Sequence, residues 1–170
     1  MQTLVSSIQI GLCLLFLISA VMKLIDLSTF VDLVQKYEVL PSRLSTLYGY
    51  TAPVIELAAG FMLLFAVTYY LGAVIILLLL LSFGYAVQTA IQKEKDISCG
   101  CYGKWLDSQA DKFTLIKIFI LILIDALLFV IHPADNPFSL PSLVFGAVGT
   151  VIFLVMQILW NYNQQNMKLF

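Results

Sequence analysis

One long stretch of the sequence carries almost no charge. From residue 44 to residue 92 the only charged side chain is that of Glu56. A single helix of that length would measure about 70 Å, more than twice the roughly 30 Å thickness of the hydrocarbon core of a bilayer. The stretch therefore predicts two antiparallel membrane-spanning helices, at about residues 46–67 and 71–91. The reversal is expected near Thr68-Tyr69-Tyr70, because amphipathic aromatic rings suit the headgroup level and Gly72 follows closely.

Three further apolar runs predict the remaining spans, at about residues 3–25, 113–131 and 143–162. Between the first two spans, apolar residues recur at three- and four-residue spacing and predict a short interfacial helix at about residues 28–38. The predicted fold class is all-α: a polytopic membrane helical bundle of about five transmembrane helices plus the interfacial helix. No internal repeat divides the chain, so we expect a single membrane domain over residues 1–170.

The composition supports this class and excludes others. Hydrophobic residues make up 61% of the chain and charged residues 11%, which a small soluble protein could not bury in one core. The lipid bilayer is the expected partner, and the expected location is the plasma membrane of a bacterium. A nucleic-acid-binding function is excluded, because it needs a cationic face and this chain has nine Lys and Arg residues and a net charge of -1.

With five spans, all nine cationic side chains fall on one membrane face. The positive-inside rule assigns that face to the cytoplasm, since the loops that carry the cations are short. The amino terminus is then expected outside, and the loop of residues 93–112 inside.

That loop contains the most informative motif, in which Cys99 and Cys101 lie one residue apart. A disulfide between them would close a small, strained ring, and strained exposed disulfides tend to be labile or catalytic. Gly100 and Gly103 suit a tight ring and the close approach of a partner's sulfur atom. Nearby lysines would stabilise a thiolate. Reduced cysteines without a role, or two ligands of a metal site completed elsewhere, remain open alternatives, although no histidine or third cysteine stands in this loop.

Four charged residues are predicted inside the spans or at their ends: Lys23, Glu56, Lys117 and Asp125. Each charge costs about 2.5–3.5 kcal/mol in the membrane centre on insertion scales, so these side chains should pair or line a polar interior. Counted from the face of the cysteine loop, all four belong to the same half of the bundle. They could join the helices, or they could tune a thiol, donate protons or bind a quinone headgroup. Cys13, amid apolar neighbours, is expected to serve packing.

The chain resembles the MauE family, within the broader DoxX-like group of small membrane proteins, over most of residues 10–130. The residues that carry the resemblance are Ser19, Ala20, Lys23, Phe30, Tyr37, Pro41, Pro53, Glu56 and the box Cys99-Gly100-Cys101-Tyr102-Gly103. The chain departs from the family pattern at Tyr102, where phenylalanine is usual. It departs again at Ile124-Asp125, where an arginine precedes the acidic or amide residue.

This resemblance implies a helical membrane protein associated with thiol redox chemistry and often with thioredoxin-like partners, including the maturation of disulfide-containing secreted proteins. The first hypothesis is a relay that passes electrons through Cys99 and Cys101 to or from a thioredoxin-like protein or a membrane quinone. The alternative is a non-enzymatic assembly, immunity or partner-binding subunit in which the cysteines are incidental. A small transporter built on the intramembrane charges is a third reading. Extracytoplasmic disulfide chemistry would require the loop outside, whereas the cation count predicts it inside.

Overall fold

The structure, a computed structural model, describes residues 2–93, 112–131 and 138–167. All regular secondary structure in these ranges is helical. The helices are α1 (Gln2–Ile25), α2 (Leu27–Lys36), α3 (Ser42–Met62), α4 (Tyr69–Gln92), α5 (Lys112–Val130) and α6 (Leu140–Met167). The cysteine box at residues 99–103 lies outside the described residues.

Four of these helices are long and apolar enough to cross a membrane, namely α1, α4, α5 and α6. The predicted polytopic helical class is therefore confirmed. The sequence predicted about five spans, one more than these four helices. The additional predicted span corresponds to α3. This helix has 21 residues, but it contains Arg43, Glu56 and several hydroxyl side chains, so it is less apolar than the other four.

Contacts along the helices give their directions. Gln9 and Lys23 of α1 contact Leu63 and Glu56 respectively, so α3 runs antiparallel to α1. The Tyr48 hydroxyl of α3 forms a hydrogen bond with the Ser82 hydroxyl of α4, and α4 runs antiparallel to α3. The helix α3 thus returns the chain through the bundle between two apolar helices that run the same way. One end of the bundle, called here the α2 end, carries α2, the end of α4 and the start of α5.

The connection between α2 and α3 is a tight corner. Glu38 has a φ of 50°, in the left-handed region that non-glycine residues rarely adopt. Pro41 is extended, with φ -54° and ψ 146°, and α3 begins at the next residue. The Ser45 hydroxyl donates a 2.9 Å hydrogen bond to the Leu40 carbonyl. The corner lays the buried side of α2 against α3, with Phe30, Val31 and Leu33 inward.

The turn between α3 and α4 occupies residues 63–68, slightly before the predicted reversal. The Thr68 hydroxyl donates to the Met62 carbonyl over 3.0 Å, which satisfies one carbonyl in the last turn of α3. Gly72 then allows α4 to approach α3 closely, since a Cβ there would lie 2.8 Å from that of Met62 and 3.0 Å from the Ala59 carbonyl oxygen. The result is a tightly packed pair of helices.

Candidate functional site

A buried ion pair joins α1 to α3. The Lys23 ammonium lies 2.6 Å from Glu56 Oε2, and both residues are 2% exposed. Lys23 stands in the last turn of α1, and Glu56 lies opposite it on the antiparallel α3. Each charge would be costly alone in an apolar interior, so the pair forms because each side chain supplies the partner that the other needs.

Aromatic side chains from two more helices enclose this pair. The Lys23 ammonium lies 4.4 Å from the ring centre of Phe83 on α4 and 5.4 Å from that of Phe30 on α2. Negative ring faces attract a cation at these distances. Tyr48 packs edge-on against Phe83, with ring centres 6.3 Å apart. Four helices therefore meet at one ammonium group.

A small cavity of about 70 Å³, called here the polar cavity, adjoins the ion pair. Its polar lining residues are Ser19, Lys23, Glu56, Thr114, Lys117 and Gln157. Lys117 is only 8% exposed, and its ammonium lies 5.2 Å from the Phe113 ring centre. Among the described residues no carboxylate lies within ion-pair distance of Lys117, and the buried Oε1 of Gln157 has no hydrogen-bond donor. The cavity thus holds a cation that contacts the Phe113 ring and a buried acceptor that has no donor among the described residues.

Asp125 lies apart from this group. It does not line the polar cavity, although it is 2% exposed. It is close enough to affect the Tyr69 phenol electrostatically, near the bundle end opposite the α2 end. Within the described part of the chain, Asp125 Oδ1 and the Tyr69 hydroxyl have no hydrogen-bond partner. The structure brings Lys23, Glu56 and Lys117 together and separates them from Asp125.

A second cavity, called here the apolar cavity, lies between α1, α5 and α6 and measures about 650 Å³. Its walls include Ile8, Leu12, Ile120, Ile124, Phe145 and Gly149. Leu15, Leu121 and Phe153 line both cavities, so the two cavities are adjacent and share these side chains as their boundary. Sequence reasoning missed this feature. The feature of the sequence that could have indicated this cavity is the glycines of α6, because a glycine leaves space beside a helix without making the helix less apolar.

Sequence reasoning also missed the role of α1 in completing α3. The amide of Gln9 donates a 2.6 Å hydrogen bond to the Leu63 carbonyl, and the Cys13 thiol lies 3.1 Å from the Gly60 carbonyl oxygen. Carbonyls in the last turn of a helix lack intrahelical partners, and lipid offers none. Cys13 is buried and unoxidised, packed in the core as expected.

The predicted site residues Cys99, Gly100, Cys101, Tyr102 and Gly103 lie outside the described residues. Among those that the structure describes, no cluster of three or more His, Cys, Asp or Glu side chains could hold a metal ion.

The fold and the buried charges define a class: a polytopic helical membrane protein whose bundle encloses an ion pair and a polar cavity. A family model described as "Methylamine utilisation protein MauE" matches residues 1–131. The chain therefore belongs to the MauE family, as the resemblance of its residues implied. Searches of curated proteins and of solved structures gave no match.

Proposed function

We propose that this MauE-family membrane protein is a thiol–disulfide redox protein in a bacterial plasma membrane. Cys99 and Cys101 relay electrons to or from a thioredoxin-like partner or a membrane quinone. The observation that carries the proposal is the box Cys99-Gly100-Cys101-Tyr102-Gly103, which falls within the residues that the family model matches. Two cysteines separated by one glycine suit reversible exchange better than stable crosslinking.

The reaction balances with two electrons. When Cys99 and Cys101 form a disulfide, two S–H bonds break, one S–S bond forms, and two electrons and two protons leave. A partner disulfide accepts them by becoming a dithiol, and a quinone accepts them by becoming a quinol. Lysines close in sequence favour the thiolate that performs the attack, at positions Lys93, Lys95 and Lys104.

The arrangement of the described helices supports a link between this segment and the bundle interior. The segment starts after α4 ends at Gln92 and finishes where α5 begins at Lys112. Both helix ends belong to the α2 end of the bundle. The polar cavity lies in the adjoining half, and its lining includes Lys23 in the last turn of α1 and Lys117 in the second turn of α5. Charged and polar groups near a redox pair can supply protons or bind an electron acceptor.

The test is thiol trapping in cells. Acid quenching followed by alkylation and mass spectrometry should detect Cys99 and Cys101 in both the dithiol and disulfide states, with the ratio changing with growth conditions. A Cys99→Ser single variant should accumulate a mixed disulfide through Cys101, or the reverse variant through Cys99. Cys13→Ala is the matched control, because this buried thiol should leave the trapping pattern unchanged.

Two results would contradict the relay. One is full alkylation of both cysteines under all conditions, together with an unchanged phenotype in the Cys99→Ser/Cys101→Ser variant. The other is capture of a partner protein that survives the double substitution, which would favour an assembly or binding subunit.

Sidedness needs its own measurement. Labelling of Cys99 and Cys101 with a membrane-impermeant maleimide in intact cells should fail if the cation count is right. Labelling in intact cells would place the loop outside, where disulfides persist.

A further inference from the structure

We propose that the two adjacent cavities form a binding site for an isoprenoid quinone. The isoprenoid tail occupies the apolar cavity, the ring lies at the boundary formed by Leu15, Leu121 and Phe153, and one ring oxygen faces Lys117. The choice of a redox-active occupant rests on the proposed function. The site itself rests on the geometry of the described residues.

The apolar cavity suits a hydrocarbon tail. Its volume of about 650 Å³ is typical of cavities that bury a small-molecule ligand. Two of its hydroxyl groups are turned to backbone carbonyls, since Ser7 donates to Thr3 and Thr150 donates to Gly146 and Gly11. Apart from Thr3 and the glycines, the walls that remain are aliphatic and aromatic. A hydrocarbon chain from the bilayer can fill this space without a desolvation cost.

The polar cavity suits the oxygen of a ring rather than the whole ring. A cavity of about 150 Å³ holds benzene, and this one measures about 70 Å³. It can therefore take a carbonyl or hydroxyl group while the ring stays at the boundary.

Lys117 and Gln157 in the polar cavity complement the two redox states of a quinone. The buried Lys117 ammonium can donate to a quinone carbonyl oxygen, and Gln157 Oε1 can accept from a quinol hydroxyl. Lys117 is 8% exposed and has no carboxylate within ion-pair distance among the described residues, because Glu56 of the same cavity pairs with Lys23, so its ammonium is available to such an acceptor.

A phospholipid fits this site less well. The rings of Phe113 and Trp160 stack with centres 4.0 Å apart and an interplanar angle of 15°, about one turn beyond Lys117 and Gln157 on their helices. This contact joins α5 to α6 between the polar cavity and the α2 end. It narrows the path for a bulky charged headgroup. A quinone can instead arrive tail and ring together from the side of the apolar cavity.

The experiment uses the full chain in lipid nanodiscs. The probe is an azido-ubiquinone with a decyl tail, photolabelled and mapped by mass spectrometry, with decylubiquinone as competitor. Labelling should be saturable and should fall on peptides of α1, α5 and α6. Replacing the ammonium in Lys117→Met should weaken decylubiquinone binding about tenfold, the loss expected for a hydrogen bond to a charged group.

A second variant blocks the tail without touching the polar groups. Gly149 lines the apolar cavity and a Cβ there meets no atom within 4 Å, so the side chain of Gly149→Leu can start without a clash and should occupy space in the cavity. It should reduce labelling at least tenfold, whereas Gly149→Ala should reduce it little. Val148→Phe adds bulk to the same helix at a residue that lines neither cavity, and it should leave labelling unchanged.

The outcomes separate the site from the relay. Quinone labelling that persists in the Cys99→Ser/Cys101→Ser variant and disappears in Gly149→Leu supports the site. Absence of saturable labelling, equal labelling of Gly149→Leu, or displacement by oleate as effective as by decylubiquinone overturns the quinone site. Cysteines that cycle in a protein without quinone labelling overturn the site alone, and quinone labelling with cysteines that never cycle overturns the relay alone.

Discussion

The two sides of α1 are built on different principles. Towards α3, its side chains Gln9, Cys13 and Lys23 each make a polar contact, at three successive depths. Towards α6, the close approach relies on Gly11 and Gly146, and a large cavity remains where α5 stands away. The first side fixes the position of one helix relative to another, whereas the second leaves room that a ligand can fill.

The difference follows from what stabilises helix contacts in lipid. Lipid tails are as apolar as Leu side chains, so burying Leu between helices gains little, and association depends on close packing and on hydrogen bonds. The α1–α3 interface uses hydrogen bonds and an ion pair. The α1–α6 interface uses small residues: Gly146 brings its helix close to α1, while Gly149 on the same helix faces the apolar cavity.

The largest effect should come from breaking the ion pair on the α3 side. Glu56→Ala leaves the Lys23 ammonium buried without its counter-charge, and the free energy of unfolding should fall by about 3–5 kcal/mol. Unfolding in mixed detergent micelles with increasing SDS measures this change. Because apolar replacements of a whole buried pair are often neutral, Lys23→Met combined with Glu56→Leu should restore most of the loss.

A double variant as unstable as Glu56→Ala would contradict this account. It would mean that the pair contributes through its shape or through the Phe83 and Phe30 contacts rather than through charge compensation.

Sequence reasoning found the members of this pair but not their pairing. Lys23 and Glu56 stand out because charge is rare in apolar runs, and their positions predict that both lie in the same half of the bundle. The same depth argument grouped Asp125 with them, yet Asp125 lies near Tyr69 instead. Depth alone does not specify which way a side chain points around its helix, and the packing of α5 against α4 decides that.

The fold class was predictable for a related reason. Apolar run length and turn residues determine where helices start and stop, so the predicted bounds fall within a few residues of the observed ones for most helices. The apolar cavity was not predictable, because it results from the distance between α5 and α1. That distance depends on the side chains of three helices at once, so the pattern of apolar residues in one helix cannot predict it.

The second prediction compares two glycines three residues apart on α6. A Cβ at Gly146 would lie 2.9 Å from the Ser7 carbonyl oxygen and 2.8 Å from Ile10 Cγ2. Gly146→Ala should therefore force α6 away from α1 and cost about 1–3 kcal/mol. Gly149→Ala meets no atom and should be neutral or stabilising by up to about 1 kcal/mol, because alanine favours the helix.

The same SDS titration measures both glycine variants. If the two variants lost the same free energy of unfolding, helix flexibility rather than close approach would explain the effect. The contrast between a packed and an open face of α6 would then be wrong.

The smallest effect should come from Gln9, whose amide caps the Leu63 carbonyl at the end of α3. Gln9→Met keeps the length of the side chain and removes the hydrogen bond, leaving that carbonyl without its partner from α1. Measured interhelical hydrogen bonds in membranes contribute about 0.6 kcal/mol on average and at most about 1.7 kcal/mol, so a loss in that range is expected. The loss should fall in the lower part of that range, because Gln9 Oε1 has no donor among the described residues and the substitution also removes this buried acceptor.

Gln9→Glu is the matched control for this prediction. It keeps the size of the side chain but places a second oxygen against the carbonyl, and it should be less stable than Gln9→Met. If Gln9→Glu proved the more stable of the two, the amide would not be acting as a donor, and the polar character assigned to the α3 side of α1 would have to rest on Cys13 and Lys23.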